Sequence, residues 1–146
     1  MDGKCVTCLA GHFAAPGAKT CTQCAPGQFA IKGVDQCTPC PPGSFAAGIG
    51  SEKCIKCAAG SATEAAGSTA CPSCVRGRFA PLAGTSACDL CVAGQYASGV
   101  GSTSCSKCQP GQHFVANADA RSGELTCVSC PAGQLTTDEG EATCFK

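Results

Sequence analysis

Residues 88–108 read CDLCVAGQYASGVGSTSCSKC and contain one full copy of a motif that fills almost the whole chain. The motif is a C-x-x-C pair, a glycine three residues after the second cysteine, a polar and then an aromatic residue, a second glycine, and the next C-x-x-C pair. A fixed internal period indicates a repeat architecture in which each copy is one small structural unit. The fold is therefore expected to follow from one repeat and from how its copies are joined.

The period is 16 or 17 residues, with one interval of 22 residues. It is set by the first cysteines of the pairs, which are Cys5, Cys21, Cys37, Cys54, Cys71, Cys88, Cys105, Cys127 and Cys144. We predict a single tandem array over residues 1–146, with repeats 1 to 8 at about residues 5–20, 21–36, 37–53, 54–70, 71–87, 88–104, 105–126 and 127–143. Since the chain starts just before one pair and stops inside another, we expect it to be a segment of a longer array.

Sixteen of the nineteen glycines fall into two registers. First-register glycines lie three residues after the second cysteine of a pair, and second-register glycines lie four residues before the next pair. Glycine adopts positive φ without steric cost, so each register predicts a turn. Clustered Gly, Ser and Pro argue against helix. We interpret each repeat as a short, irregular β-hairpin, with residues 95–97 in one arm of repeat 6 and residues 102–104 in the returning arm.

The composition cannot supply a conventional core. Leu, Ile, Val and Phe total 21 residues, about 14% of the chain and below the roughly 20% that marks a shortage of core formers. The 17 cysteines are about 12%, above the roughly 8–10% typical of a disulfide scaffold. The predicted fold class is a small disulfide-rich fold, mostly irregular with short β-hairpins. It is expected to form an elongated, solenoid-like array of about eight repeats, in which each repeat touches only its neighbours.

Charge and cysteine content narrow the function classes. Disulfides persist in oxidising compartments, so an extracellular or cell-surface location is predicted. The net charge is zero, which argues against a nucleic-acid partner. No apolar run approaches the roughly 18 residues of a membrane span, and the first residues lack the apolar stretch of a signal peptide.

Each repeat has one position, two residues after the first-register glycine, that we call the aromatic slot. It holds Phe13, Phe29, Phe45, Ala62, Phe79, Tyr96, His113 and Leu135 in repeats 1 to 8. We predict that the aromatic ring lies over a neighbouring disulfide. Repeat 7 departs most from the pattern, because Phe114 follows His113 and about five extra residues occur in the region 117–122.

The stretch CVAGQYASGVGSTSCSKC resembles the ephrin-receptor-like cysteine-rich repeat and the first half of a TNF-receptor cysteine-rich module. Both have Cys-x-x-Gly-x-aromatic followed by a closing cysteine and a C-x-x-C pair. The CXXC-rich surface proteins of protists are similar as well. The resemblance extends from Cys5 to Cys144 and implies a disulfide-closed extracellular repeat. The chain lacks the six-cysteine grouping of TNF-receptor modules, which disfavours cytokine binding.

Three regular disulfide schemes fit the spacing, which alone does not decide between them. One interlocks successive pairs as Cys5–Cys21 and Cys8–Cys24, and one closes each C-x-x-C on itself; both leave Cys144 over. We prefer a ladder, because it closes one hairpin per bond with the same geometry and matches the first bridge of the resembling receptor module. The ladder pairs are Cys8–Cys21, Cys24–Cys37, Cys40–Cys54, Cys57–Cys71, Cys74–Cys88, Cys91–Cys105, Cys108–Cys127 and Cys130–Cys144.

The ladder leaves Cys5 without a partner in this segment. In a longer array Cys5 would pair with an upstream cysteine, and a free reactive thiol is the alternative.

Successive C-x-x-C pairs also fit tetrahedral zinc sites. We disfavour zinc because every repeat has the same hairpin pattern and no histidine stands in a ligand register. A thioredoxin-like redox motif needs a βαβ context, which the sequence lacks. We predict no metal site, no catalytic residues and no cofactor.

The sequence favours a structural repeat protein over an enzyme. A uniform array suits a component of a cell-surface filament, hair or coat that assembles with like chains, since a binding site should break the pattern at one place. The alternative is a receptor or adhesion ectodomain that binds a protein ligand through the insertion between Cys108 and Cys127. Hydroxyl residues cluster before the cysteines, so O-linked glycans are predicted at Ser102, Thr103 and Ser104.

The fold is predicted to depend on oxidation. Each closed loop contributes on the order of 3 kcal/mol in the chain-entropy model, so dithiothreitol should abolish the circular dichroism signal of the fold. A zinc chelator under oxidising conditions should leave that signal unchanged. Loss of structure on chelation would contradict the disulfide interpretation.

Overall fold

The computed structural model describes residues 7–92, 94–116 and 125–146. Within these ranges the chain forms β-strands, turns and irregular segments, and no helix. The strands are β1 (His12–Phe13), β2 (Thr22–Gln23), β3 (Gln28–Phe29), β4 (Thr38–Pro39), β5 (Ser44–Phe45), β6 (Ile55–Lys56), β7 (Arg78–Phe79), β8 (Asp89–Leu90), β9 (Gln95–Tyr96), β10 (Ser106–Lys107), β11 (Gln112–Ala116) and β12 (Leu125–Ser129).

The strands pair in antiparallel hairpins, β1 with β2, β3 with β4, and so on to β11 with β12. Repeats 4 and 8 have single bridges instead, Ser61↔Ser73 and Leu135↔Phe145. The first strand holds the polar residue and the aromatic slot, and the second strand holds the two residues inside the next C-x-x-C pair. The irregular hairpin fold predicted from the sequence is confirmed.

The predicted returning arm is wrong. Residues 102–104 lie outside the strands, and β9 pairs instead with β10, with Tyr96 opposite Ser106. The Ser102 carbonyl is used elsewhere, because it accepts a hydrogen bond from the Ala80 N–H at 3.0 Å in the preceding repeat. The segment before each pair thus connects repeats, and the pair itself completes the hairpin.

The predicted glycine turns are confirmed. All fifteen glycines of the two registers in the described residues have φ between 68° and 84°. In repeat 2 the turn runs from Ala25 through Pro26 and Gly27 to Gln28, whose N–H donates to the Ala25 carbonyl at 3.2 Å. Proline at the second position and glycine at positive φ in the third are typical of a type II turn.

Consecutive repeats are joined by backbone hydrogen bonds in addition to the covalent chain. The Gly27 N–H donates to the Ala46 carbonyl at 2.7 Å, from repeat 2 to repeat 3. In return, the Gly50 N–H of repeat 3 donates to the Cys24 carbonyl at 2.8 Å. Equivalent bonds recur along the described chain, so neighbouring hairpins are fixed to each other at both glycine registers.

Contacts also reach the second-next repeat. A Cβ built on Gly27 of repeat 2 would overlap the carbonyl oxygen of Gly67 of repeat 4. The same overlap occurs for the pairs Gly11/Gly50, Gly43/Gly84, Gly60/Gly101 and Gly94/Gly140. The expectation that each repeat touches only its neighbours is therefore wrong. First-register glycines are required twice, for positive φ and for close approach to another backbone.

The buried core consists of small side chains. Its cysteines are the second members of the pairs, and it also contains Ala and Thr at or beside the aromatic slot. The buried residues of these kinds are Cys8, Cys24, Cys40, Cys57, Cys74, Cys91, Cys108, Ala30, Ala46, Ala62, Ala80, Ala97, Thr63 and Thr136. The rings in the slot are only half-buried. Because a first-register glycine of one hairpin lies against a carbonyl of another, the hairpins are close together. The space between them holds sulfur and methyl groups but not large side chains.

The chain groups into two compact parts. The first comprises Met1–Ala58, Thr63–Pro72 and Gly84–Ser86, and the second comprises Ala59–Ala62, Ser73–Ala83 and Ala87–Lys146. Every contact described above lies within one part or the other. The contact between a glycine and a carbonyl two repeats on therefore occurs in both parts.

Replacing Gly27 by Ala should destabilise the chain more than replacing Gly17 by Ala. Both glycines have nearly the same φ, +82° and +83°, so both variants incur a left-handed backbone cost of about 1–2 kcal/mol. Nothing lies within 4 Å of a Cβ on Gly17, whereas a Cβ on Gly27 meets a carbonyl. That overlap should add on the order of 1–3 kcal/mol. Equal losses in urea unfolding without reductant would contradict the close glycine contact.

Candidate functional site

The disulfides are the main chemical feature of the chain. The described residues form eight, and they are the pairs of the ladder scheme, from Cys8–Cys21 to Cys130–Cys144. Their Cα–Cα distances run from 5.5 to 5.8 Å, inside the range that disulfide geometry requires. Each bond closes the loop of one hairpin, and Gly94 and Gly101 lie within the loop of Cys91–Cys105.

The eight bridges differ in burial. In the first seven, the second cysteine of a pair is buried and at most 8% exposed, while its partner is half-buried. In Cys130–Cys144 both cysteines are only half-buried. Cys5 and the insertion at 117–122 lie outside the described residues, so the structure places neither.

The predicted glycosylation positions differ from one another. The Ser102 hydroxyl donates a hydrogen bond to the Gly99 carbonyl at 2.8 Å. Ser51 and Ser68 make the same turn bond three residues back in repeats 3 and 4. The Ser102 hydroxyl therefore has a structural role in the turn. Thr103 and Ser104 are exposed, and sugar attachment there remains a prediction.

The two histidines have different surroundings. His12 precedes the aromatic slot of repeat 1, and its Nδ1 lies 3.3 Å from the Ala10 carbonyl. His113 occupies the slot of repeat 7, and its Nδ1 lies 3.1 Å from Sγ of Cys144 in the next repeat. The slot side chain thus lies against the neighbouring disulfide in this repeat. The sequence signal for this contact is a histidine where most repeats have Phe or Tyr.

His113, Cys130 and Cys144 form a three-residue cluster whose ligand atoms lie within 4.8 Å of one another. In the oxidised chain the two sulfurs are bonded to each other, so neither is a thiolate. The oxidised cluster lacks the anionic sulfur ligands that zinc selects. Sequence analysis considered C-x-x-C pairs as ligand sets and did not find this combination.

A cleft of about 310 Å³ lies in the first compact part. It is lined by Phe29, Pro41, Pro42, Gly43, Ser44, Cys54, Lys56 and Gly84. Lys56 is the only charged lining residue, and no acidic or histidine side chain faces it there. The cleft therefore offers apolar surface and one cation.

These features define a cysteine-rich extracellular repeat, in which short hairpins are closed by disulfides and joined through glycine turns. A family model described as tyrosine-protein kinase ephrin type A/B receptor-like matches residues 27–74 and 65–108, which together cover more than half of the chain. The chain belongs to this ephrin-receptor-like family. No curated protein matches it significantly. The family and the eight disulfides together indicate an extracellular or secreted protein.

None of the described residues forms a helix with the length and apolarity that a membrane crossing needs.

Replacing both Cys91 and Cys105 by Ser should open one hairpin and leave the other bridges closed. The loop has a sequence separation of 14, so the expected loss is about 3 kcal/mol. Non-reducing peptide mapping of the variant should recover the neighbouring Cys74–Cys88 and Cys108–Cys127 linkages. A Cys88–Cys105 linkage in the unaltered chain would contradict the ladder.

Proposed function

We propose that the chain is a structural component of an extracellular filament, hair or coat, and that it assembles by stacking with like chains. The observation that carries this proposal is the glycine contact between repeats two apart. It recurs five times in the described residues, so the same interface is built again and again along the chain. A self-complementary surface of this kind can continue from one chain to another.

Three glycines of the two registers make no such contact with the described residues. Gly111 and Gly133 are first-register glycines of repeats 7 and 8, and nothing lies within 4 Å of a Cβ on either. Gly17, a second-register glycine of repeat 1, is equally open. Gly111 and Gly133 therefore lack the carbonyl that other first-register glycines contact. Gly17 carries a carbonyl of the kind that makes this contact elsewhere.

The internal contacts define how a second copy would dock. Its Gly17 carbonyl would lie against Gly111, and its Gly33 carbonyl against Gly133. A head-to-tail contact of this kind generates a filament when its rotation does not close into a ring. Repeats that follow in a longer chain would use the same geometry.

Exposed aliphatic side chains support assembly. Thirteen large hydrophobic residues are exposed, which is more than half of the 21 Leu, Ile, Val and Phe residues in the chain. They are Leu9, Ile31, Ile49, Ile55, Val75, Leu82, Leu90, Val92, Val100, Val115, Val128, Leu135 and Phe145. These side chains offer apolar surface that contacts between chains could bury.

Sedimentation velocity and negative-stain microscopy of the 146-residue chain test the proposal. We expect species that grow with concentration and linear particles. Gly133→Ala should suppress them, because its Cβ would occupy the place of the incoming carbonyl.

Gly48→Ala is the control for Gly133→Ala. Gly48 belongs to neither glycine register, and nothing lies within 4 Å of a Cβ built on it. This variant should therefore still assemble. A chain that stays monomeric at all concentrations, or equal effects of the two variants, would contradict end-to-end stacking.

A second candidate function is a receptor or adhesion ectodomain that binds a protein ligand. Repeat 7 favours it, because β11 and β12 have five residues each where other strands have two. Val115 and Val128 are 38% and 44% exposed. They share one face, since Val115 pairs with Thr126 and Val128 pairs with His113. A strictly monomeric chain in the sedimentation experiment would favour this second function.

A further inference from the structure

The cluster of His113, Cys130 and Cys144 is the one place in the described chain where a nitrogen ligand meets a disulfide. The His113 Nδ1 lies 3.1 Å from Sγ of Cys144. The other described slots hold Phe, Tyr, Ala or Leu, which offer no nitrogen or sulfur ligand. The cluster is therefore specific to the junction of repeats 7 and 8.

The bridge in this cluster is the one among the described residues in which neither cysteine is buried. Disulfide exchange requires an attacking thiolate to approach one sulfur. The first seven bridges each have one buried cysteine, whereas Cys130 and Cys144 are both half-buried. Limited reduction should therefore open Cys130–Cys144 before the others.

Backbone hydrogen bonds also lie beside the residues of the cluster. The Cys130 N–H donates to the Gly111 carbonyl at 2.9 Å, two residues from His113. Beside Cys144, Phe145 and Leu135 exchange two backbone hydrogen bonds of 2.8 Å each. The two thiols released by reduction should therefore stay close to the imidazole.

We propose that His113, Cys130 and Cys144 form a redox-controlled metal site, which opens when thiols reduce the Cys130–Cys144 disulfide and then binds a thiophilic divalent cation such as Zn²⁺. Reduction consumes two small-molecule thiols and yields the two cysteine thiols and one small-molecule disulfide. The cation displaces the two thiol protons, which pass to solvent. Reoxidation by a disulfide of the same class reverses the first step and expels the metal.

The ligand set suits zinc. Zn²⁺ takes Cys sulfur at about 2.3 Å and His nitrogen at about 2.0–2.1 Å in tetrahedral geometry. Ligand atoms within 4.8 Å of one another can converge on such an ion after a small separation of the two sulfurs. Three protein ligands leave a fourth position for water or an added ligand, as in open zinc sites.

This site differs from the zinc alternative considered from the sequence. That alternative used C-x-x-C pairs as ligands in every repeat and required the whole array to be reduced. Here the seven other disulfides stay closed, and the ligands are one slot histidine and the two ends of one bridge. The fold therefore persists while a single site changes state.

The first experiment maps which bridge opens. Any free thiol in the 146-residue chain is blocked, the chain is treated with increasing concentrations of reduced glutathione, and new thiols are alkylated and located by mass spectrometry. We expect Cys130 and Cys144 to be labelled first, while circular dichroism shows the rest of the fold retained. First labelling of any other pair would overturn the proposal.

The second experiment titrates Co²⁺ alone into the partly reduced chain. We expect one equivalent to bind with a thiolate-to-cobalt charge-transfer band, which added Zn²⁺ removes. The fully oxidised chain should show no such band. Absence of the band after reduction would also overturn the proposal.

Variants of the two histidines separate a ligand from a packing residue. His113→Phe restores the ring that most slots carry and should keep the fold. It should weaken Co²⁺ binding at least about 10-fold, the smallest loss expected when even a supporting residue of a zinc ligand is changed. His12→Phe should leave Co²⁺ affinity unchanged. If His113→Phe does not fold, His113→Gln provides the same test, and unaltered Co²⁺ affinity in the folded variant would exclude His113 as a ligand.

Discussion

The arms of these hairpins are two residues long in five of the six strand pairs, too short to persist in water without a covalent closure. The disulfide inside each loop is therefore the interaction on which the rest of the structure depends. Once it fixes the loop, the second cysteine becomes the buried side chain around which the repeat packs. Cys40, Cys57 and Cys108 are fully buried although the chain has no conventional hydrophobic core.

Close stacking follows from this choice of core. Sulfur and methyl groups are small, so repeats can approach until the first-register glycine of one meets a carbonyl two repeats on, as Gly43 meets Gly84. Any side chain at Gly43 would force the hairpins apart. The same closeness leaves large side chains such as Ile31 and Leu82 on the surface. A chain built in this way keeps its large aliphatic side chains out of its own interior.

The periodic features of the fold could be predicted from the sequence, and the contacts between repeats could not. Glycine at a fixed place after each pair is a local signal, so the turn at Gly27 was predictable from its register. The returning arm was mistaken because the hydrogen bond from Ala80 to Ser102 joins two repeats, and spacing within one repeat does not encode it. A slot side chain against a neighbouring disulfide was predicted and is found at His113, but the choice of Cys144 as its partner could not be predicted. It depends on which slot faces which bridge, a consequence of stacking.

Repeat 7 shows how chemistry can enter such an array without disturbing it. An imidazole is a flat ring that can occupy a slot built for Phe or Tyr, so His113 keeps the slot side chain against the neighbouring disulfide and adds a nitrogen there. The backbone hydrogen bonds around Gly111 and Leu135 do not involve that side chain, so the hairpins stack through main-chain groups whichever ring fills the slot. The glycines and cysteines, which recur in every repeat, thus determine how repeats stack. The residue in the aromatic slot determines which chemical group lies beside a given disulfide. A histidine in the slot thus brings a ring nitrogen beside a disulfide while the main-chain contacts between repeats stay the same.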